Sequence, residues 1–365
     1  MDARNIFITG GAGFIGSRLV NALRAKNPEH IIWVFDNLHP QVHGEIPQAP
    51  DLPADVHFIR GDVADFAAVN KALKAAQPDL IFHLAAETGT GQSYDEPTRY
   101  CMANICGTAH LIEAIRATAS CRRVVLAGSR AVYGEGPYID ANGQEYVGQP
   151  RQPKAMAVGD FSVPLRGAIP PVRPAQSHAG VTPVPSSIYA SSKLMQEYLL
   201  CQAGEGTDWG ATILRFQNVY GPGQSLRNPY TGVLSIFARQ LLAGDDLAIY
   251  EDGQIARDFV YVDDVVDALI RAGESDVPHG VIMDIGSGSA TTILDAARIL
   301  MRALGRSDDA YTITGEFRVG DIRHACADIT LARQILGWEP QTGIEEGLNW
   351  LAQWARKEFQ SHAPQ

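Results

Sequence analysis

Two polar side chains near the middle of the chain are spaced to act together in proton transfer. Tyr189 and Lys193 are four residues apart, which places the phenol and the ammonium on one face of a helix. An unperturbed tyrosine titrates at about 10, too high for a general base at neutral pH, but a neighbouring cation lowers that pKa. The pair is therefore a candidate general base, although the same spacing occurs by chance on many helices.

Ser129 is a candidate for contact with the reacting oxygen. It follows residues 124–127, a predicted buried strand, and the carboxyl ends of parallel strands face the ligand crevice of such sheets. Its hydroxyl could hydrogen-bond a substrate oxygen there. A serine that only forms the turn is the alternative.

A glycine-rich run near the N-terminus has the spacing of a phosphate-binding loop. Gly10, Gly13 and Gly16 span the turn between a predicted strand and a predicted helix. Glycines let the backbone approach a pyrophosphate closely. The helix N-terminus at Phe14 and Ile15 adds amide donors and partial positive charge. A tight strand-to-helix turn can need the same glycines, so the pattern alone is weak evidence.

An acidic residue at the right distance strengthens the interpretation of this loop. Asp36 lies twenty residues after Gly16, at the end of the second predicted strand, where a carboxylate binds the adenosine ribose hydroxyls. A carboxylate there repels a 2′-phosphate, so NAD is expected rather than NADP. Asp62, after the third predicted strand, is expected either to contact the adenine or to cap the helix that begins near Asp65.

The elements that must position these residues alternate along the first half of the chain. Buried strands are predicted at residues 5–9, 31–35, 56–60, 80–84, 124–127 and 211–216, and helices at 14–25, 66–76, 101–117 and 187–201. This alternation predicts an α/β fold with a Rossmann-type, doubly wound parallel sheet.

In the second half of the chain, predicted helices mix with short predicted strands, and this pattern indicates a smaller lobe. We expect an NAD-binding domain at 1–221 and a substrate-binding α/β lobe at 222–365 that exchanges elements with the first. Residues 134–188 are rich in Pro, Gly and Gln and are expected to form a long irregular insertion. Such segments are either functional lids or insertions without a role, and the sequence leaves both open.

The composition excludes several classes of protein. A net charge of −11 argues against nucleic-acid and membrane-surface binding, which need clustered Lys and Arg. No apolar run is long enough to span a membrane and no signal peptide is apparent, so a cytoplasmic protein is expected. The five cysteines show no CxxC spacing, which predicts no metal site.

Taken together, these motifs resemble those of the extended short-chain dehydrogenase/reductases, and specifically the nucleotide-sugar epimerase group. The resemblance covers nearly the whole chain. Its motifs lie at residues 9–17, 36–38, 61–62, 83–86, 104–108, 129–134, 189–193, 215–222 and 257–264.

The resemblance implies roles for particular residues. Tyr189 would be the base, Lys193 its activator and a ligand of the cofactor ribose, and Ser129 the partner of the substrate oxygen. The cofactor would also contact Asn37, Asp62, Val63, Leu84, Ala85 and Ala86, and the nucleotide-diphosphate sugar would contact Thr90, Asn218, Arg257, Arg318 and Asp321. For Arg257 and Arg318 the alternative is a surface ion pair, which contributes little.

The reaction that the resemblance implies is C4 epimerisation through a transient 4-keto sugar. Dehydratases of the family have an acidic pair directly after the hydroxyl residue, whereas this chain has Arg130 and Ala131. Residues 86–93, 228–233 and 315–324 are most similar to the branch that converts dTDP-L-rhamnose to dTDP-6-deoxy-L-talose. A UDP-glucose or UDP-uronate 4-epimerase and a nucleotide-4-keto-sugar reductase are the alternatives. The family also implies a homodimer built from helices 101–117 and 187–201.

Overall fold

A computed structural model of the chain describes residues 4–44, 51–226, 228 and 232–361. Residues 229–231, part of one stretch that carries the family resemblance, lie outside these ranges. The strands in chain order are β1 (Asn5–Thr9), β2 (Ile31–Asp36), β3 (His57–Arg60), β4 (Leu80–His83), β5 (Arg123–Ser129), β6 (Pro137–Ile139), β7 (Glu145–Val147), β8 (Arg173–Pro174), β9 (Gly210–Phe216), β10 (Asn218–Tyr220), β11 (Leu247–Ile249), β12 (Ala256–Tyr261), β13 (Val281–Ile285), β14 (Ala290–Thr292) and β15 (Tyr311–Ile313).

The helices connect these strands and cover the sheet. They are α1 (Phe14–Lys26), α2 (Pro40–His43), α3 (Phe66–Ala76), α4 (Gln92–Asp95), α5 (Pro97–Tyr100), α6 (Gly107–Thr118), α7 (Pro153–Met156), α8 (Ile188–Gly204), α9 (Val233–Ala243), α10 (Val262–Glu274), α11 (Ile293–Ala303), α12 (Thr330–Leu336) and α13 (Ile344–Ser361).

The predicted parallel sheet is confirmed. Within the described residues, seven strands pair in the order β3-β2-β1-β4-β5-β9-β13, and every pairing between them is parallel. Alternate residues of β1 enter different cores, because successive side chains of a strand point to opposite faces. Ile6 and Ile8 pack with Leu19 of α1, whereas Phe7 packs with Leu73 of α3.

The C-terminal half contributes to both parts of the molecule. Its strand β13 joins the main sheet beside β9, while β10, β12 and β14 form a separate sheet over their own apolar core. This exchange is compatible with a boundary near residue 221. The two-domain division stays a proposal.

The helix predicted at 101–117 is interrupted at its start. Residues Cys101–Cys106 form a π-helix, and the α-helix begins only at Gly107. The wider turn accommodates the buried Asn104, whose side chain accepts a hydrogen bond from the Glu87 N–H (2.8 Å) and donates one to the Ser192 hydroxyl (2.8 Å). Such π-turns occur mainly at functional sites, and periodicity alone does not predict them.

The insertion at 134–188 is more ordered than predicted. The irregular segment contains an antiparallel sheet in the order β7-β6-β8 and the short helix α7. Its strands are only two or three residues long, too short to produce a readable alternation of polar and apolar residues. In the ranges that the structure covers, no helix is long and apolar enough to cross a membrane.

Candidate active site

The glycine loop lies between β1 and α1 in a conformation that excludes larger side chains. Gly10 has φ 69°, and a Cβ there would lie 2.7 Å from the backbone nitrogen of Ala85. A Cβ on Gly16 would collide with the Gly10 carbonyl oxygen. Gly13 is the N-cap residue of α1 and has no side chain to accept hydrogen bonds from the first N–H groups of the helix. These N–H groups are therefore open to an anion.

The acidic residues beside this loop are held by backbone amides. Asp36 is buried, and its two carboxylate oxygens accept bonds from the N–H groups of Ala12 (3.1 Å) and Leu38 (2.9 Å). Asp62 accepts a bond from the Asn37 amide (3.0 Å). The cap of α3 is Asp65, so the capping role considered for Asp62 is wrong. Its contact with adenine stays a prediction.

Three side chains predicted to act in catalysis meet at the carboxyl ends of β5 and β9. Ser129 ends β5 and lies opposite Phe216 in the register of these strands. Tyr189 and Lys193 occupy the first two turns of α8, whose N-cap Ser187 accepts a bond from the Ala190 N–H (3.0 Å). This cap fixes where the helix starts and therefore which face presents the phenol.

Burial and local charge set the proton affinities of this group. Burial raises the pKa of Tyr189, while a hydrogen bond with the Ser129 hydroxyl and the charge of Arg130 lower it. Burial also lowers the pKa of Lys193 to about 8, against the opposing effect of Glu197. Both shifts follow from removing the charged form from water.

These residues line a cavity of about 530 Å³. The predicted site residues in its wall are Gly10, Gly13, Phe14, Ile15, Gly16, Leu84, Ala86, Thr90, Ser129, Tyr189, Lys193, Asn218, Arg257 and Asp321. A neighbouring cavity of about 350 Å³ shares part of this wall, and its lining adds Asp36, Asn37, Asp62, Val63 and Ala85. Apart from Arg318, the predicted cofactor and substrate residues therefore lie along one continuous stretch of surface.

A dinucleotide fits the residues that line these cavities. Gly10, Gly13 and Gly16 line the first cavity without side chains, which leaves the backbone accessible to a pyrophosphate, and Asp36 lines the second cavity. The buried Lys193 ammonium has no ion-pair or hydrogen-bond partner among the described residues, so it is available to a ligand hydroxyl.

The two arginines expected at the substrate end differ in position. Arg257 is buried, and its Nη2 lies 2.6 Å from a carboxylate oxygen of Asp321 in the cavity wall. Arg318 is exposed, and its guanidinium lies over the ring of Tyr250, 5.0 Å from the centroid. The structure does not bring Arg318 into the cavity wall, and its substrate role stays a prediction.

Arg130 is a cavity residue that the sequence analysis used only to exclude dehydration. It lines the same wall as Ser129 and Tyr189. Burial and the charge of Arg257 lower the pKa of Arg130 to about 10. Its position directly after the hydroxyl residue at a strand end was the available signal.

A neutral hydrogen-bond network lies beneath the cofactor side of the site. The ring nitrogens of the buried His83 lie 2.7 Å from the Thr9 hydroxyl and 3.0 Å from the Thr108 hydroxyl. Gln196 of α8 donates to the same Thr108 hydroxyl (2.8 Å). Burial lowers the pKa of His83 to about 3, so the imidazole is neutral at physiological pH.

Metal chemistry has no ready ligand set in the part of the chain that the structure covers. No group of three or more His, Cys, Asp or Glu side chains is placed to hold an ion there.

Comparison with known proteins identifies what this arrangement is similar to. The model of the NAD dependent epimerase/dehydratase family matches residues 6–156 and 164–286. The chain is 40% identical over 362 residues to a dTDP-L-rhamnose 4-epimerase of Burkholderia thailandensis, covering 98% of this chain and 97% of that protein.

Two solved structures share the fold over nearly their whole length. One is a UDP-glucose 4-epimerase of Thermotoga maritima with UDP-glucose, at a TM-score of 0.77 and 29% identity, covering 97% of this chain and 99% of that one. The other is a UDP-glucuronic acid 4-epimerase of Bacillus cereus in complex with UDP-glucuronic acid and NAD, at a TM-score of 0.78 and 26% identity, with coverage of 97% and 99%.

Proposed function

This chain belongs to the NAD dependent epimerase/dehydratase family, and on that premise we propose that it inverts C4 of dTDP-L-rhamnose to give dTDP-6-deoxy-L-talose. The observation that carries the proposal is the convergence of Ser129, Tyr189 and Lys193 on one cavity. The similarity to the Burkholderia enzyme over almost the full length supports the choice of sugar nucleotide.

Proton transfer at the sugar oxygen is the task of Tyr189. The Tyr189 phenolate accepts the proton of the C4 hydroxyl and later returns it, while the Ser129 hydroxyl bonds the same oxygen. Lys193 and Arg130 place positive charge near the phenolate. The glycine loop, Asp36 and Lys193 would hold NAD, which would supply the hydride chemistry at C4.

The remaining residues bind and separate the two ligands. The glycine loop and Asp36 hold the dinucleotide, with Lys193 on its ribose. Asn218 and Arg257 would receive the diphosphate of the substrate, and the Asp321 carboxylate orients the Arg257 guanidinium. Because Arg130 and Ala131 stand where a dehydratase has acids, the elimination of water lacks a proton donor and a base.

The proposal is tested by incubating the purified protein with dTDP-, UDP- and GDP-sugars without added cofactor, with inversion at C4 followed by NMR. We expect conversion of dTDP-L-rhamnose without net consumption of NAD. Oxidation of NAD(P)H with a nucleotide-4-keto sugar as substrate, and no inversion without it, would instead indicate a 4-keto-sugar reductase.

A Tyr189→Phe variant tests the base in the same assay. Loss of the phenol oxygen is expected to lower kcat by about 10³-fold or more, while binding of the nucleotide sugar persists. Full turnover by this variant would refute the role of Tyr189, and Tyr198→Phe, on the same helix, is the matched control.

UDP-glucose or UDP-glucuronic acid is the alternative substrate. Two solved neighbours that share the fold are epimerase structures with UDP-glucose and with UDP-glucuronic acid and NAD, respectively. The substrate panel separates the alternatives directly, because each predicts a different product.

A homodimer is the proposed assembly. Three apolar side chains are exposed on the helices expected to meet a second copy, Met102 on the π-helix and Met195 and Tyr198 on α8. Because α8 packs against the π-helix, an apolar face shared by these two elements would favour association. Sedimentation equilibrium measures the mass of the particle, and a monomer at micromolar concentration would contradict this assembly. A cytoplasmic location stays a prediction.

A further inference from the structure

The insertion is attached to the C-terminal lobe at several separate points. The Ser177 N–H donates to the Cys326 carbonyl (2.7 Å), and the Ser177 carbonyl accepts from the Asp328 N–H (2.8 Å). The ring of Phe161 lies 5.9 Å from the Arg323 guanidinium. Contacts spread along the segment in this way hold it against the lobe over its length, unlike the single hinge of a lid.

The strongest attachment is a buried cluster of charges around Arg151. Its Nε lies 2.9 Å from a Glu135 oxygen, and its Nη1 lies 2.8 Å from both oxygens of Glu251. The three side chains are 3% or less exposed. Glu251 adopts a left-handed backbone conformation with φ 55°, a strained state that persists only where the surroundings enforce it.

The same cluster reaches the segment that carries Asp321. Arg151 Nη2 donates to the Asp321 carbonyl (2.9 Å), and the second Glu135 oxygen accepts from the Arg323 N–H (2.7 Å). The Arg323 guanidinium in turn binds Glu251 (2.9 Å). The backbone at Asp321 and at Arg323 is thereby tied to Arg151 and Glu135.

Asp321 transmits this constraint to the cavity. Its carboxylate accepts bonds from Arg257 (2.6 Å) and from the Ile322 N–H (2.9 Å). Arg257 lies on β12, and this strand bonds the same segment through Ala256 and Ala325 (3.1 Å). The orientation of the Arg257 guanidinium therefore depends on where the insertion holds residues 321–325.

We infer that the insertion at 134–188 is a fixed clamp, in which Glu135 and Arg151 are positioning residues that, through Asp321, hold Arg257 ready for the diphosphate of the substrate. This inference rests on the proposed function, because it takes the diphosphate to be the ligand of Arg257. The sequence alone did not decide whether residues 134–188 form a functional lid or an insertion without a role. The clamp gives this segment a role that differs from both.

The balance of charge in the cluster explains why both residues matter. Burial raises the pKa of Glu135, and the bonds from the Arg323 amide and from Arg151 oppose that shift. Loss of either bond leaves a carboxylate or a guanidinium without its compensation in a buried place. We expect the 321–325 segment to move in response to the uncompensated charge, and this movement displaces Arg257.

A matched pair of substitutions tests the clamp. Glu135→Gln replaces the clamp carboxylate with an isosteric amide, and Glu145→Gln makes the same change at an exposed position of the insertion beside His178. Binding of dTDP, UDP and NAD is measured by calorimetry, and kcat and KM are measured with dTDP-L-rhamnose. Arg151→Lys, which keeps the charge and loses the fork of donors, is the conservative variant.

The clamp predicts a split between binding and turnover. Glu135→Gln should weaken dTDP binding and raise KM by about tenfold, with kcat within about threefold of the wild type and unchanged NAD affinity. Glu145→Gln should match the wild type, and Arg151→Lys should fall between the two. Should Glu135→Gln fail to fold, Arg151→Lys alone tests the clamp. The expected result is again weaker dTDP binding and a higher KM with nearly unchanged kcat and NAD affinity.

Two results would overturn the clamp. One is a folded Glu135→Gln or Arg151→Lys with wild-type affinity for dTDP and UDP. The other is an equal loss of NAD and nucleotide binding, which would indicate a general structural role. If the wild type binds dTDP or UDP but converts no dTDP-L-rhamnose, the proposed substrate fails, and the clamp is still judged on the nucleotide affinities.

Discussion

The cofactor side and the substrate side of the cavity are built from different interactions. On the cofactor side, a glycine loop, backbone amides around Asp36 and the neutral network of His83 provide the geometry. On the substrate side, the buried ion pairs of Arg151 and the partly exposed pair of Arg257 with Asp321 provide it. The first arrangement uses steric fit and hydrogen bonds from backbone amides and neutral side chains, and the second uses pairs of opposite charges.

The difference follows from what each side must hold. A pyrophosphate at a helix N-terminus is bound by amides that the fold already aligns, so side-chain cations are unnecessary there. The substrate side forms from chain segments that are far apart in sequence, and the bonds of Arg151 span 16, 100 and 170 residues. Charged hydrogen bonds fix such segments strongly but require complete pairing.

The largest expected effect tests whether steric fit governs the cofactor side. Gly10→Ala places a Cβ against the Ala85 backbone, and NAD affinity should fall on the order of 100-fold because the loop must shift. Gly206→Ala is the control, since Gly206 has φ 68° but open space around it. Calorimetry of NAD binding compares the two. Equal losses would assign the effect to backbone strain instead of contact.

The two sides also differ in how far the sequence predicts them. Gly10, Gly13, Gly16 and Asp36 lie within one strand-helix-strand unit, so their spacing encodes their geometry and the parallel sheet followed from the same pattern. The pairing of Tyr189 with Ser129 was predictable only in outline, from strand ends. Distances along the chain carry no comparable information about which carboxylates Arg151 meets.

Two other features escaped prediction for local reasons. The π-helix at Cys101–Cys106 has the same apolar periodicity as an α-helix over so few residues. The three strands of the insertion are too short for a pattern, and their pairing with one another cannot be read from two or three residues each. Both features require knowledge of tertiary contacts.

The second prediction concerns acid and the neutral network. The folded-state pKa of His83 is about 3, below the ordinary value of 6.5, so the unfolded chain binds the extra proton between these values. The contribution of neutral His83 to the free energy of unfolding is complete above pH 6.5 and is lost as the pH falls towards 3. At pH 5 this amounts to about 2 kcal/mol of unfolding free energy.

Denaturant unfolding at neutral pH and at pH 5 measures this contribution. His83→Gln, which stays neutral, should lose about 2 kcal/mol less than the wild type over that interval. His178→Gln, an exposed histidine of the insertion, should behave as the wild type does. If His83→Gln shows the full acid loss, the acid sensitivity lies elsewhere.

The smallest effect is expected where the two sides meet, at Arg130. Its charge lowers the pKa of Tyr189, which otherwise burial raises. Around the phenol stand the Ser129 hydroxyl at the end of β5, Lys193 one turn along α8 and the ring edge of Tyr100, 6.3 Å away. Arg130→Met therefore removes one of the two cations near the base.

Tyr189 acts as a base only as the phenolate. A higher pKa of Tyr189 therefore lowers kcat at acidic and neutral pH and leaves it unchanged at high pH. Arg130→Met should move the acidic limb of the kcat profile upward by about one unit, which is about a tenfold loss at pH 7 that alkaline buffer restores. Arg130→Lys should shift it less. A loss of equal size at every pH would mean that the shape of the Arg130 side chain matters and its charge does not. The charge of Arg130 would then have no effect on proton transfer by Tyr189.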